Sequence, residues 1–307
     1  MPILPQSNST ELSSNIKKNM AVTFLTATPQ YTIDEVILPQ EVKEKLEDIV
    51  AITEHRHLIY EEWGLGKVIK HAKHIYVNLY GSPGTGKTMA AHALINLLAK
   101  KMIVVNYAEI ESKYVGETAK NLVALFKSAQ EQDAILFFDE ADALLSKRVT
   151  NMSSSTDVSV NQTRSVLLTL LDNYDGIIIF TTNFISNFDS AFIRRINYHI
   201  QIPLPDEPLR ALLWKHYIPA EFPSDADCDE LAQKYVNVTG NDIANAVLTA
   251  ALRGARLQCE RIPQSYFEDA ITNIQQSTVH SRKGSDDAVQ IEEREVSEEY
   301  VRQQLNH

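Results

Sequence analysis

The chain has 307 residues, of which 44% are hydrophobic and 22% are charged. This ordinary globular composition excludes collagen-like, coiled-coil and disordered chains, and the length allows one large domain or two modest ones. The formal net charge of −11 disfavours binding to nucleic acid or to an anionic membrane, and two cysteines are too few for a disulfide framework or a thiolate zinc site.

The sequence gives no sign of export or of membrane insertion. No apolar run approaches the roughly 18 residues that indicate a membrane span. The N-terminus lacks the charged and apolar regions of a secretory signal. We therefore expect a cytoplasmic protein without a membrane partner.

The first part of the chain predicts an arm followed by alternating helices and strands. Residues 1–30 are rich in Ser, Asn, Thr and Gln and predict a flexible arm. The alternative is an ordered tether that docks through the apolar patch at residues 21–25. A helix is predicted over residues 41–57, and the apolar run at 75–80 fits a buried strand. The elements that follow are a helix at 87–100, a strand at 102–107, a helix at 117–131, a strand at 134–138, a helix at 158–173, a strand at 176–181 and an edge strand at 198–202. Strands separated by helices predict a parallel α/β sheet within residues 31–205.

Beyond Pro203 and Pro205 the pattern changes to helices alone. This change predicts a second, all-helical domain over residues 206–307. Its predicted elements are helices at 207–217, 227–235, 240–258, 263–275 and 291–305, with an exposed loop at 278–287.

A glycine-rich segment follows the strand at 75–80 and opens the next helix. It matches the pattern G-x-x-x-x-G-K-[ST], and its strand–loop–helix context indicates a phosphate-binding loop. The backbone N–H groups of such a loop turn inward on an anion, and the helix N-terminus adds positive dipole. We expect Lys87 to reach the β- and γ-phosphates and Thr88 to offer its hydroxyl to Mg²⁺. The loop consists of Gly81, Ser82, Pro83, Gly84, Thr85, Gly86, Lys87 and Thr88.

Two acids end the apolar strand at 134–138. An acid at the end of a buried strand beside a phosphate-binding loop can hold Mg²⁺ through water, and Asp139 fits that role. Glu140, the next residue, is placed to act as general base toward an attacking water. The pattern is weak alone, because many strands end in an acidic turn. Its position one further β-α unit after Lys87 makes it informative.

Polar and basic groups follow the later strand at 176–181. We expect Asn183 to orient the water or to contact the γ-phosphate. Arg194 and Arg195 lie on a short helix before the edge strand, and the planar guanidinium of arginine suits oxyanions. If these side chains project outward, they cannot serve the chain's own nucleotide, but they can serve a neighbour's.

The order of these motifs resembles the AAA+ ATPases, specifically the classical AAA clade, over residues 31–276. The resemblance implies a parallel-sheet P-loop NTPase subdomain of α/β class, followed by a small helical lid. It also implies that ATP and Mg²⁺ are the cofactors, that Asn183 is the sensor-1 residue, and that Arg194 and Arg195 are arginine fingers acting in trans.

The resemblance also implies roles for three further segments. The turn at Gly240 and Asn241 is similar to the sensor-2 turn of the family, and like the classical clade it lacks an arginine there. In protein-remodelling members, a segment equivalent to Lys113, Tyr114 and Val115 lines a central pore and grips a threaded polypeptide. The polar stretch at 147–157 resembles a second pore loop.

The resemblance implies an ATP-driven protein remodeller that works as a ring, with a hexamer as the expected homo-oligomer. In overall build, the chain is similar to the bacterial relatives of pachytene checkpoint protein 2. Those ATPases remodel HORMA-domain proteins in anti-phage signalling, which makes a HORMA-domain protein the candidate partner.

Three alternatives stay open at this point. A nucleic-acid-handling loader of the same superfamily would need a basic pore and usually a sensor-2 arginine, so the negative net charge opposes it. A motor similar to the red-type Rubisco activases would reactivate an enzyme. A nucleotide-gated switch without turnover would have no use for Glu140.

Overall fold

The computed structural model describes residues 24–69, 74–105, 117–146, 155–184 and 188–286. The chain divides into two compact units. The first comprises Met1–Leu213 with Thr239–Asn241, and the second comprises Trp214–Val238 with Asp242–His307. The division therefore falls inside the first helix of the lid predicted from the sequence, which spans Glu207–Tyr217.

The first unit contains a five-stranded parallel sheet with the strand order β2-β3-β4-β1-β5. This confirms the predicted α/β parallel sheet, and β5 lies at an edge as expected. The strands are β1 (Ile75–Tyr80), β2 (Met102–Val105), β3 (Ile135–Phe138), β4 (Ile177–Thr182) and β5 (Tyr198–Gln201). The helices of this part of the chain are α1 (Gln40–Glu54), α2 (Lys87–Leu97), α3 (Glu117–Glu131), α4 (Asp142–Leu145), α5 (Ser155–Asn173) and α6 (Ser190–Ile193).

The central strands are buried on both faces, because helices cover each side of the sheet. Successive side chains of a strand point to opposite faces. Accordingly, Leu136 and Phe138 of β3 join one hydrophobic cluster with α3 and α5, whereas Ile135 and Phe137 join the other with α1 and α2. This two-sided burial explains why these strands read as continuous apolar runs in the sequence.

Residues 24–30, which the sequence assigns to the flexible arm, lie against the sheet. Ala27 forms an antiparallel bridge with Met102 of the edge strand β2, and the two exchange N–H···O bonds of 2.7 and 2.9 Å. Phe24 packs against the hydrophobic cluster of α3 and α5. The bridge supplies hydrogen-bond partners to an edge strand that otherwise presents unpaired backbone groups.

His92 on α2 links this N-terminal segment to the sheet. The backbone N–H of Gln30 donates to His92 Nδ1 at 3.0 Å. The imidazole ring also makes edge contacts with Tyr31 and Phe137, at centroid distances of 5.8 and 5.6 Å. Nδ1 must be unprotonated to accept this bond, so the folded protein requires neutral imidazole.

Burial lowers the pKa of His92 below its ordinary value, and the charge of Asp139 opposes this only in part. The folded protein therefore holds this proton more weakly than the unfolded chain does. We expect the free energy of unfolding to fall as the pH drops below about 6.5, by at most about 1.4 kcal/mol per pH unit from this residue. The measurement is urea unfolding between pH 7 and pH 5. His92→Asn, which keeps an acceptor but does not titrate, should lose less stability over that range, and equal losses would contradict this role.

The second unit is built from helices. Helix α7 (Glu207–Tyr217) leads into it, followed by α8 (Cys228–Lys234), α9 (Gly240–Arg256) and α10 (Gln264–Asp286). Its core includes Trp214 and Phe267, whose rings meet edge to face with centroids 6.4 Å apart. The described secondary-structure elements of this unit are therefore all helices, as the sequence predicts.

One local prediction in this unit is wrong. Residues 278–286 form the last turns of α10 and not an exposed loop. The Ser, Arg, Lys, Gly and Asp residues of this stretch predict a loop, but a polar composition does not prevent a helix from continuing. The predicted helix at 291–305 lies outside the described residues. Among the helices that the structure describes, none is long and apolar enough to cross a membrane.

Candidate nucleotide-binding site

The glycine-rich loop joins the end of β1 to the start of α2. Gly86 precedes α2 with φ at +95°, a left-handed conformation that side chains with a Cβ rarely adopt. Gly84 has φ at +80°, and a Cβ there would lie 2.7 Å from the hydroxyl oxygen of Thr239. The backbone path of the loop thus requires glycine at these positions. Ser82 and Thr85 brace it, since the Thr85 hydroxyl donates to the Ser82 carbonyl at 2.9 Å.

Lys87 begins α2 and turns its side chain back over the loop. Its Nζ donates to the carbonyl oxygens of Gly81 and Ser82, at 3.0 Å in both cases. Burial lowers the pKa of Lys87 below its ordinary value, and the charges of Asp142, Asp139 and Glu140 oppose this only in part. The acids therefore favour a cationic ammonium at the loop, which is the form that attracts phosphate.

Thr88 and Asp139 come together across the sheet, as expected for a shared metal site. The Thr88 hydroxyl lies 3.0 and 3.3 Å from the two carboxylate oxygens of Asp139. A hydroxyl and a carboxylate are oxygen donors, which Mg²⁺ prefers, and Mg²⁺ usually adds water and substrate phosphate to a few such protein ligands. The residues present fit Mg²⁺, with Thr88 and Asp139 as the groups that would hold it.

Glu140 follows Asp139 at the end of β3 and is exposed. Its φ of +52° is unusual for a residue with a side chain, and such conformations cost of order 1–3 kcal/mol. Its backbone N–H donates to the hydroxyl of Thr181 at 2.9 Å. Glu140 is thus exposed, unlike the buried residues of β3, and its carboxylate is accessible to water.

Asn183 lies directly after β4 and is half-buried. Its backbone N–H donates to both carboxylate oxygens of Asp142, at 3.1 and 3.0 Å, and the N–H of Phe184 donates at 3.3 Å. Asp142 begins α4, three residues after Asp139. A single carboxylate therefore fixes the backbone that carries Asn183 relative to the acids that end β3.

The turn at 239–241 belongs to the first unit and reaches the glycine-rich loop. The backbone N–H of Asn241 donates to the Gly84 carbonyl at 3.3 Å. A Cβ on Gly84 would also lie 3.1 Å from the Cβ of Asn241. The structure therefore places Gly240 and Asn241 beside the loop, as predicted for cofactor-binding residues.

The two adjacent arginines differ in their surroundings. Arg195 pairs with Asp172 through two N–H···O bonds of 2.7 and 2.8 Å and donates to the Ala191 carbonyl at 2.9 Å. This bidentate bond also raises the pKa of Arg195. Arg194 is exposed and, among the residues that the structure describes, has no ion pair. Arg195 is thus engaged within its own chain, whereas Arg194 is the more exposed guanidinium of the two.

The predicted pore residues Lys113, Tyr114 and Val115 lie outside the described residues, as does most of the predicted second pore loop. Conversely, the structure adds two residues that the motif analysis did not assign. Asp142 could have been noticed as a third acid three positions after Asp139. The sequence offers no comparable signal for Thr181, which contacts both Asp139 and Glu140.

Residues 77–204 match the family described as "ATPase family associated with various cellular activities (AAA)". This segment runs from β1 past β5 and therefore includes the glycine-rich loop, the acids, Asn183 and the paired arginines.

Curated relatives extend the similarity beyond that segment. The chain is 32% identical to proteasome-activating nucleotidase 1 of Haloferax volcanii over 257 residues, covering 81% of this chain and 62% of the relative. It is 33% identical to cell division protein C of Sulfolobus acidocaldarius over 236 residues, covering 73% and 60%. It is 30% identical to the ATP-dependent zinc metalloprotease FtsH of Acidimicrobium ferrooxidans over 268 residues, covering 85% and 39%.

The chain thus spans less than two thirds of the length of these relatives. The fold and the site geometry agree with this family match, which covers residues 77–204 of the chain.

Proposed function

We propose that this protein is an ATP-hydrolysing ring motor that remodels a protein partner. The observation that carries the proposal is the meeting of Lys87, Thr88, Asp139, Glu140 and Asn183 at the carboxyl ends of three adjacent parallel strands. Ligands of open α/β sheets bind at this edge. The arrangement supplies a phosphate cradle, oxygen ligands for a metal ion and a carboxylate base.

The site residues divide the reaction between them. The loop N–H groups and Lys87 bind the phosphates, and Thr88 and Asp139 would hold Mg²⁺, which neutralises phosphate charge when bound. Glu140 accepts a proton from a water that attacks the γ-phosphorus. The bond to the bridging oxygen breaks, and ADP leaves with that oxygen.

A second subunit completes the site in this proposal. Arginine fingers stabilise the charge of the transferring phosphoryl group. Arg194 is exposed and directly follows the short helix α6, which precedes the edge strand β5. Asp139 and Glu140 follow β3, which is not an edge strand. A neighbour in a ring, with a hexamer as the expected form, places Arg194 on the next nucleotide.

A polypeptide substrate is favoured over nucleic acid. The net charge of −11 opposes nucleic acid, and the names of two relatives refer to proteasome activation and to proteolysis. Tyr114 is proposed to grip the substrate, because an aromatic ring gives contact area without demanding a particular sequence. The finer assignment to HORMA-domain remodelling in anti-phage signalling rests on overall build and stays a prediction.

The experiment measures ATP turnover with and without an unfolded polypeptide, with casein as the probe. Casein is expected to stimulate turnover of the natural protein. Tyr114→Ala should lose this stimulation and Tyr114→Phe should keep it, because the ring and not the hydroxyl makes the contact. In a parallel assay, double-stranded DNA replaces casein, and ATP turnover is measured in the same way.

Two results would overturn the threading proposal. Stimulation by DNA and not by casein would favour a nucleic-acid loader. Equal stimulation of Tyr114→Ala and the natural protein by casein would show that substrate acts elsewhere on the molecule.

A further inference from the structure

Thr181 occupies the last part of β4 and is almost completely buried, with 1% of its surface exposed. Its hydroxyl donates to a carboxylate oxygen of Asp139. The hydroxyl oxygen of Thr181 also accepts a hydrogen bond from the backbone N–H of Glu140 at 2.9 Å. The backbone carbonyl of Thr181 accepts the N–H of Ala141 at 2.9 Å. One residue thus binds three consecutive residues of the turn that follows β3.

Strand register accounts for this convergence. Phe138 of β3 is paired with Phe180 of β4. The next positions along the two parallel strands are Asp139 and Thr181, so their side chains lie side by side on one face of the sheet. The contact follows from the order of the strands and from their alignment.

The chemistry of a hydroxyl explains why a threonine does this task. A hydroxyl carries one donor hydrogen and two acceptor lone pairs. Because the Glu140 N–H is itself a donor, the single hydrogen of Thr181 goes to the Asp139 carboxylate and a lone pair receives the N–H. Valine has nearly the same shape but offers neither interaction.

We propose that Thr181 is a positioning residue for ATP hydrolysis, which sets Asp139 as a metal ligand and Glu140 as the base in one fixed relation. This inference rests on the proposed function of those two acids. The Thr181 hydroxyl also stabilises the left-handed φ of Glu140. Sparsely populated backbone conformations persist when surrounding contacts determine them, and the bond to Thr181 holds the Glu140 N–H in that turn.

A residue in this position should affect metal binding and the catalytic step more than nucleotide binding. The partners that orient metal ligands typically contribute about 10–100-fold to metal affinity or activity. The phosphate cradle of Lys87 and the loop N–H groups makes no contact with the Thr181 hydroxyl in the described structure. Nucleotide affinity without Mg²⁺ is therefore expected to survive the loss of this hydroxyl.

The test compares Thr181→Ser, Thr181→Ala and Thr181→Val. Serine and alanine both remove the methyl group, so their difference isolates the hydroxyl. We expect Thr181→Ser to stay close to the natural protein. Thr181→Ala and Thr181→Val should need about 10–100-fold more Mg²⁺ for half-maximal tightening of ATP binding, measured by calorimetry, and should show a kcat lowered by about the same factor. Their ATP affinity measured in EDTA should be unchanged.

Thr182→Val is the matched control for loss of a buried hydroxyl. Thr182 is the neighbouring residue, is equally buried, and donates to Asn78 Oδ1 at 3.1 Å on the other side of the strand. Urea unfolding of all four variants measures their stability. If Thr182→Val and Thr181→Val lose similar stability but only the latter changes its Mg²⁺ dependence, the effect is specific to the acids.

The outcomes separate this inference from the proposed function. Equal Mg²⁺ dependence and equal kcat for Thr181→Ala and Thr181→Ser would overturn the role of Thr181. A parallel loss in Thr182→Val would reduce it to a general packing effect and overturn it as well. If Lys87→Ala binds ATP as tightly as the natural protein, the nucleotide site itself has been misplaced, and the proposed function fails whatever Thr181 does.

Discussion

Replacing Arg194 by alanine is expected to slow ATP hydrolysis by roughly 10³–10⁵-fold, the range of arginine fingers in related phosphoryl transfer. ATP binding should persist, because the Lys87 side chain and the loop N–H groups are untouched. Arg194 is exposed, and under the proposed function it stabilises the phosphoryl charge of a nucleotide held by a neighbouring subunit. Steady-state turnover and calorimetry measure the two effects in the same preparation.

Arg195→Ala is the matched comparison, since it removes the adjacent guanidinium. Arg195 is engaged by Asp172 and the Ala191 carbonyl within its own chain. Arg195→Ala should therefore slow hydrolysis less than Arg194→Ala does. We expect its effect to arise from a shift of the short helix α6. A larger loss in Arg195→Ala than in Arg194→Ala would contradict this assignment.

Mixing two inactive variants tests whether the finger acts between subunits. A ring that contains Lys87→Ala and Arg194→Ala subunits includes some sites with an intact Lys87 beside an intact Arg194. Those sites should hydrolyse ATP, so mixing is expected to restore part of the activity. If no ratio of the two proteins restores turnover, the finger acts within one chain or the ring does not form.

Glu140→Gln is expected to lower hydrolysis by about 10²–10⁴-fold, as is typical when a general base is lost. Glutamine keeps the size of the side chain and the backbone N–H that binds Thr181, but it cannot accept the proton of the attacking water. Binding of ATP and Mg²⁺ should remain, because Lys87, Thr88 and Asp139 are unchanged. A single-turnover assay separates the chemical step from binding.

Glu221→Gln is a suitable control, since it neutralises an exposed carboxylate in the second unit. It should hydrolyse ATP like the natural protein. Near-normal turnover in Glu140→Gln would show that another group takes the proton. A loss of ATP binding in Glu140→Gln would instead assign Glu140 to the binding site.

Much of this molecule is encoded in short stretches of its sequence. The glycine-rich loop is recognisable because its glycines, Lys87 and Thr88 act within eight consecutive residues of backbone. The strands and helices of the sheet are recognisable because two-sided burial makes the strands continuously apolar and gives the helices a 3.6-residue period. The position of Asp139 and Glu140 follows from the end of such a strand.

Contacts between distant segments could not be predicted in the same way. Residues 24–30 belong to a stretch whose overall composition predicts a flexible arm, yet backbone pairing of Ala27 with Met102 places them on the sheet. The strand order β2-β3-β4-β1-β5 is needed before β3 and β4 are known to be neighbours. Residues 278–286 predict a loop by their polar composition, yet they continue helix α10.

The site shows the same division between local and distant information. The identities of Lys87, Thr88, Asp139, Glu140 and Asn183 follow from local motifs. The contacts of Thr181 with Asp139 and Glu140, of Asp142 with Asn183 and of Arg195 with Asp172 join residues about 20 to 40 positions apart. No local pattern encodes such pairs, because a threonine in a strand or an aspartate on a helix looks the same with any partner. Only the packed tertiary structure selects the partner, and it binds the Arg195 side chain to Asp172 while the adjacent Arg194 stays exposed.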